Sequence, residues 1–175
     1  LMQEQNEPEQ DAENPPPPPK YSLDPLLRAA ILAHNYEVIS QKFDTVKEDD
    51  LNELFQIACK AGFHPIIQEL IQLPGIKVNA CGKLSALHKA CNIGDVITIK
   101  LLLAHPDIDI NLQSVAFVHD VSNPLEYDGL TALERAIRYH HTEIVNLLLS
   151  DDRIDIDKKS RWRGNAPLHI SGIYG

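Results

Sequence analysis

The sequence predicts an all-α solenoid in which helix–turn–helix units stack side by side and are joined by short β-hairpin-like fingers. Residues 85–103 and 131–149 repeat one order of apolar, small and polar residues, and a further copy starts at Ala166. Within each copy, apolar residues recur at helical spacing on one face. Self-similarity at a spacing of a few tens of residues indicates stacked repeats, each too small to bury its apolar face alone.

The unit boundaries follow from aligning the copies on a small residue in the middle of the first helix. These residues are Ala30, Ala58, Ala90, Ala136 and Ser171, at separations of 28, 32, 46 and 35 positions. We therefore expect a repeat domain over residues 21–175. Its units are predicted at about 24–50, 51–82, 83–128 with an insertion over 113–128, 129–162, and a partial unit at 163–175.

Turn residues mark the middle of each unit. Gly62 and Gly94 are expected to end the first helix in the left-handed conformation, and Pro65 suits the first turn of the second helix. His34 and His140 stand at the glycine position in units one and four, so strained or differently shaped turns are expected there.

The fingers and the first unit differ in sequence. Residues 76–79, 108–111 and 154–157 alternate apolar and polar side chains, which predicts short strands entering the fingers. Residues 43–50 replace this pattern in unit one with a charged connector. Unit one is therefore predicted to be an N-terminal cap.

Residues 1–20 are acidic and proline-rich and contain almost nothing apolar. Such a segment cannot bury enough surface to offset its ordering entropy, so it is predicted to be disordered. The run Pro15 to Pro19 favours an extended polyproline helix. It is interpreted either as a stiff linker, which we favour, or as a ligand for a proline-binding groove.

The units resemble the ankyrin repeat. Residues 129–133 and 164–169 are versions of the G-x-T-P-L-H opening of that family, and residues 141–148 resemble its second helix. Residues 78–79 and 110–111 stand where the family has its hydrophobic–Asn step into the next finger. The resemblance covers about residues 24–175. It implies an ankyrin-repeat solenoid that binds other proteins.

Composition narrows the partners. The 175 residues contain 25 acidic and 16 basic side chains, a net charge of −9, which disfavours nucleic acid. Three cysteines are too few for a disulfide framework and indicate a reducing compartment such as the cytoplasm. No apolar run is long enough to span a membrane. We expect a monomer. Because the last repeat is incomplete, we also expect the chain to be a piece of a longer protein.

Catalysis, a cofactor and a metal are not expected. No hydrolase, phosphate-binding, zinc-protease or kinase motif occurs. His88 and His169 occupy the position of the family's T-P-L-H histidine, for which the resemblance implies a structural role. His140 and His141 have no partner at metal-ligand spacing. Cys59 and Cys91 fall at equivalent core positions and are predicted to be buried small hydrophobes.

The side chains predicted to contact a partner lie on the first helices, the fingers and the insertion. Counting around the helices predicts an exposed, largely basic stripe on one concave face, suited to an acidic or phosphorylated segment of another protein. Its residues are Lys60, Lys89, Asn92, Arg135, Arg138 and Tyr139. Charge reversal at Arg135 and Arg138 is expected to weaken partner binding and to leave thermal stability unchanged.

Two further segments are candidates. The basic fingertip contains Arg161, Trp162 and Arg163, residue types that dominate binding hot spots. Its tryptophan either contacts a partner or packs on the next finger. The insertion contains Phe117 and Tyr127 and either packs on the stack or presents an apolar patch.

The sequence therefore predicts a protein-interaction module without enzymatic activity of its own. The alternative is a targeting or substrate-recruitment domain of a longer enzyme whose catalytic part lies outside this chain. The fingers also resemble those of ankyrin proteins that intracellular bacteria deliver into the cytosol of host cells.

Overall fold

Eight α-helices form four pairs in the part of the chain that the structure describes. The computed structural model describes residues 23–80, 82, 84–115 and 129–158. The predictions for residues 1–20, the rest of the insertion, the fingertip beyond 158 and the partial fifth unit lie outside these residues. The helices are α1 (Pro25–Leu32), α2 (Tyr36–Lys42), α3 (Glu48–Ala61), α4 (His64–Leu70), α5 (Ala86–Ile93), α6 (Val96–Leu103), α7 (Ala132–Arg138) and α8 (Thr142–Leu149).

The pairs stack in chain order. The first helices α1, α3, α5 and α7 pack each on the next and form an inner row, while α4, α6 and α8 form an outer row. This arrangement confirms the predicted all-α repeat solenoid. None of the described helices is both long and apolar enough to cross a membrane.

Small residues let the inner helices approach closely. Ala58, Ala90 and Ala136 are fully buried at equivalent positions of α3, α5 and α7. A larger side chain at these positions would hold neighbouring helices apart, because protein interiors are close-packed. The rest of the core is mostly aliphatic, with Leu54 and Ile66 among its fully buried members, and it also contains the fully buried ring of Phe55.

Left-handed residues follow the inner helices, as predicted. Gly62 and Gly94 follow α3 and α5 with φ of 65° and 76°. His34 and His140 take the same conformation, with φ of 52° and 59°. A side chain in this region costs free energy that glycine avoids, so the expectation of strain at the two histidine turns is confirmed.

The predicted strands are absent from the described residues of the fingers. Residues 76–79, 108–111 and 154–157 each consist of two irregular residues followed by a turn, and a single isolated bridge joins Gln113 to Thr131. The strand prediction is wrong. Ile108 and Ile110 of the alternation are buried in the hydrophobic core of the stack, whereas Ile156 is 55% exposed, so the alternation does not mark one face of a sheet.

Asparagine side chains, not backbone ladders, join neighbouring fingers. Asn79 accepts from the backbone N–H of Asp109 at 2.8 Å and donates to the carbonyl of Asp107 at 2.6 Å. Asn111 makes the same pair of bonds one unit later, at 2.8 and 2.7 Å. An amide suits this role because it carries both a donor and an acceptor.

We call these paired asparagine bonds between units the asparagine ladder. Its first pair of bonds starts from a helix. Unit one has no finger, and its connector forms a 3₁₀ helix (Phe43–Thr45) followed by the start of α3. Asn52, in the first half of α3, accepts from the N–H of Lys77 at 2.7 Å and donates to the carbonyl of Gly75 at 3.4 Å. Asn52 thus substitutes for the missing finger asparagine.

Replacing Asn111 by alanine should lower the free energy of unfolding by about 1–2 kcal/mol, because two inter-unit hydrogen bonds at a half-exposed site are lost. Asn111→Asp, which keeps an acceptor but not the donor, should lose about half as much. Urea unfolding measures both. Asn146→Ala, on the exposed side of α8, is the control and should be neutral or slightly stabilising. Equal stabilities of Asn111→Ala and wild type would contradict the ladder.

Candidate partner-binding groove

A groove of ≈ 560 Å³ runs along the junction between α3 and α5 and is bounded by the finger between units two and three. Residues three or four positions apart lie on the same face of a helix, and one such face of α3 and one of α5 form the walls of the groove. The lining residues are Asn52, Glu53, Gln56, Lys60, Ala80, Gly82, Leu84, Lys89, Asn92 and Ile93. Three of the predicted contact residues, Lys60, Lys89 and Asn92, are therefore brought together.

The two lysines differ in their surroundings. Lys60 is exposed to solvent, whereas Lys89 is half-buried. The Nζ of Lys89 donates to Oε1 of Gln56 at 2.7 Å, across the junction of units two and three. This bond holds the ammonium group of Lys89 in the groove, whereas the ammonium group of Lys60 is exposed at the end of a flexible type of side chain.

Apolar surface lies beside the lysines. Ile93 is 53% exposed on α5, and Leu84 lines the finger side of the groove. Among the described lining residues the one carboxylate is that of Glu53, which lies 3.2 Å from Nη1 of Arg28. The groove thus combines two ammonium groups, amide side chains and exposed aliphatic surface, and this combination can bind an anionic protein segment.

Two of the four cations of the predicted basic stripe, Lys89 and Arg135, join one unit to the next, and Arg28, outside the stripe, does the same. Arg28 bonds to Glu53 at the first junction of the inner row, and Lys89 bonds across the second. Arg135 Nη1 donates to Asn92 Oδ1 at 3.2 Å across the third. We call these three bonds the inner-helix seam. The stripe is therefore partly a structural feature rather than a continuous ladder for ligands.

Arg135 corrects the predicted stripe most clearly, because it is fully buried rather than exposed. Its Nη2 donates to Ser114 Oγ at 3.2 Å, and the N–H of Ser114 is bonded to the carbonyl of Leu130. Counting around α7 alone could not reveal that residue 114, which follows the preceding finger, covers this position. Charge reversal at Arg135 is thus expected to destabilise the fold, contrary to the expectation from sequence.

The other predicted contact residues lie elsewhere. Arg138 is half-buried and Tyr139 is exposed at the end of α7, one unit beyond the groove, with the Tyr139 ring stacked on His141 at a centroid distance of 6.3 Å. Phe117, Tyr127 and residues 161–163 lie outside the described residues, so their contacts stay predictions.

The predicted contact residues omit Gln56 and Glu53, which line the groove. In the structure, Ile57 packs against the core, and the groove side of α3 carries residues 53, 56 and 60. Their spacing of three and four is itself a helical face. The polar face formed by Glu53, Gln56 and Lys60 was thus visible in the sequence.

His88 is structural, as predicted. It is buried, accepts from the N–H of Ser85 at Nδ1, and donates from Nε2 to the Leu130 carbonyl in the next unit at 3.1 Å. Burial, with a smaller effect of the positive charge of Arg135, lowers the pKa of His88 to about 4. The neutral ring therefore joins units three and four.

Cysteine chemistry is also structural here. Cys59 and Cys91 are fully buried, and burial raises the pKa of each thiol to about 12. Such thiols remain protonated and are poor nucleophiles, which confirms their prediction as small hydrophobes. No group of three or more histidine, cysteine or acidic side chains gathers as a metal site within the described ranges.

The chain belongs to the ankyrin-repeat family. A family model of three ankyrin repeats matches residues 54–161, more than half of the chain. Ankyrin repeats are generally protein–protein interaction modules and are not catalytic domains.

Among the curated relatives, tyrosine-protein kinase HTK16 of Hydra vulgaris is 27% identical over 130 residues, covering 71% of this chain and 15% of the kinase. SMC5-SMC6 complex localization factor protein 1 of Homo sapiens is 29% identical over 102 residues, 57% of this chain and 8% of that protein. The Bos taurus protein of the same name is 28% identical. The chain thus spans only a small part of these relatives.

Replacing Arg135 by glutamate should lower the free energy of unfolding by roughly 3–5 kcal/mol, because a buried, bonded charge is reversed. Lys60→Glu, at an exposed position on the groove wall of unit two, is the matched control and should cost less than about 1 kcal/mol. Thermal and urea unfolding measure both. Equal losses in the two variants would contradict the burial of Arg135.

The low pKa of His88 predicts loss of stability on mild acidification. Below the ordinary histidine pKa of 6.5, His88 is protonated in the unfolded chain, whereas in the folded chain it is protonated only when the pH falls to about 4. The free energy of unfolding should therefore fall across this window, by roughly 3 kcal/mol in total.

His88→Gln, which removes the titration but retains a donor and an acceptor, should show a flatter dependence on pH over the same window. Urea unfolding of both proteins in steps of pH measures the difference. Parallel curves for wild type and variant would contradict the prediction.

Proposed function

We propose that this chain binds another protein through the groove between α3 and α5, and that its ligand is an extended segment with an acidic side chain close to an aliphatic one. The observation that carries the proposal is the placement of Lys60 and Lys89 on opposite walls, beside the exposed Ile93. A phosphorylated side chain is the stronger version of the same anionic ligand.

The two parts of the groove would contribute differently. An exposed ion pair is worth about 0.2–1 kcal/mol, so Lys60 fixes the position of the segment more than it adds affinity. Burial of apolar surface contributes about 25 cal/mol per Å², so Ile93 and Leu84 supply the larger share. The Gln56 bond reduces the entropy that Lys89 loses on binding, because part of its side chain is already ordered.

A second role concerns the whole protein. The chain matches a small part of a tyrosine-protein kinase and of a complex localization factor, which favours a recruitment domain within a longer protein. Recruitment is compatible with the groove, since the groove would then select what the longer protein holds. The monomeric state, the cytoplasmic location, and the resemblance to bacterial ankyrin proteins delivered into host cells stay predictions.

Selection from a displayed peptide library on the immobilised full chain tests the proposal. The selected peptides should combine an acidic and an aliphatic residue. Lys60→Glu should weaken the strongest peptide about tenfold, or ~1.4 kcal/mol, as measured by fluorescence anisotropy. Lys100→Glu, a reversal on the outer helix α6, is the control and should bind like wild type. Equal affinity of wild type and Lys60→Glu would exclude the groove.

A further inference from the structure

We propose that the acidic N-terminal segment of this same chain occupies the groove when no partner is bound, so that the chain carries its own competitor. This proposal rests on the proposed function, because both place an anionic segment against Lys60 and Lys89. We define the acidic segment as residues 1–14 and the proline spacer as residues 15–19.

Charge complementarity is the first argument. The acidic segment carries five carboxylates and no basic side chain; they belong to Glu4, Glu7, Glu9, Asp11 and Glu13. On the inner face, Arg28 is bonded to Glu53 and Arg135 is buried, whereas Lys60 and Lys89 line the groove. Among the described residues of the inner helices, the groove is therefore a position where carboxylates of the segment can meet two ammonium groups.

The segment also has the apolar feature that the groove fits. Met2 and Glu4 are two positions apart, so they point to the same side of an extended chain. The groove offers Ile93 and Lys60 as partners of these two types. The segment thus has the same pairing of aliphatic and acidic side chains that we propose for an external ligand.

The length of the connection is the second argument. The proline spacer leads to α1, and α1 packs on α3, which forms one wall of the groove. Packed helices lie about 8–10 Å apart, so the groove centre is roughly 15 Å from the axis of α1. Five prolines in a polyproline helix span about 15 Å. The spacer, with residues 5–14 and 20–24 on either side of it, is therefore long enough for Met2 and Glu4 to reach the groove.

Tethering makes a weak contact effective. A short linker gives an effective concentration on the order of millimolar. Exposed ion pairs of the kind that Lys60 can form are individually weak. Together with burial of apolar surface of the segment, they need to supply only about 4 kcal/mol, a dissociation constant of about 1 mM, for the groove to be filled about half of the time. The segment would thus raise the concentration of partner needed, and a partner with more apolar contact would displace it.

Paramagnetic broadening in the full chain tests where the segment lies. A nitroxide is attached at Ala12→Cys in a Cys81→Ser background, since Cys59 and Cys91 are buried. The amides of Gln56, Lys60 and Ile93 should broaden, and high salt or Lys60→Glu should abolish this, whereas Lys100→Glu should not. Broadening confined to α1, or unchanged in Lys60→Glu, would overturn the proposal. Broadening that appears only between two copies, one carrying the nitroxide and the other without it, would overturn the proposal as well.

A neutral-segment variant separates this proposal from the proposed function. It replaces the four glutamates by glutamine and Asp11 by asparagine, and the probe is the peptide selected above. Removing the competitor should tighten peptide binding about threefold at low salt. Unchanged affinity, with Lys60→Glu still weakening the peptide, would overturn self-occupancy and leave the function standing. Groove broadening with a peptide indifferent to Lys60→Glu would support self-occupancy and reject the function.

Discussion

Close approach of neighbouring inner helices is the constraint on which the rest of this structure depends. The fully buried alanines at equivalent positions of α3, α5 and α7 allow it. Because the helices lie so close, a long side chain on one can reach a polar group on the next, and the inner-helix seam forms. The same proximity places Lys60 and Lys89 of different units on opposite walls of one groove. Both the polar bonds of the inner-helix seam and the groove therefore depend on this close packing.

Polar side chains in this protein divide between holding units together and facing solvent. Asn79, Asn111 and His88 each bond to the backbone of the following unit, and Arg135 is buried at the last described junction. Such groups are costly if left without partners in the interior, which makes each junction specific for its own neighbour. Lys60 has the opposite role, because its exposed position adds little to the stack and leaves its charge available.

The repeat architecture could be predicted from the sequence because its signals are local. Helical spacing, the glycines at 62 and 94 and the small residue of each inner helix are visible within one unit. The burial of Arg135 could not be predicted, since it depends on Ser114, a residue outside its own helix and reached only through the stack. The role of Asn52 was hidden for a similar reason, because a helical asparagine carries no finger pattern. The strand prediction was wrong because an alternating pattern of apolar and polar residues does not show which elements bury the apolar ones.

The groove walls come from two separate units, and this has a mechanical consequence. Any molecule that contacts Lys60 and Lys89 together spans the joint between units two and three, in parallel with the bond from Lys89 to Gln56. Its binding free energy is then added to the resistance of that joint against fraying. A chain pulled from its two ends should consequently separate elsewhere first while the groove is filled.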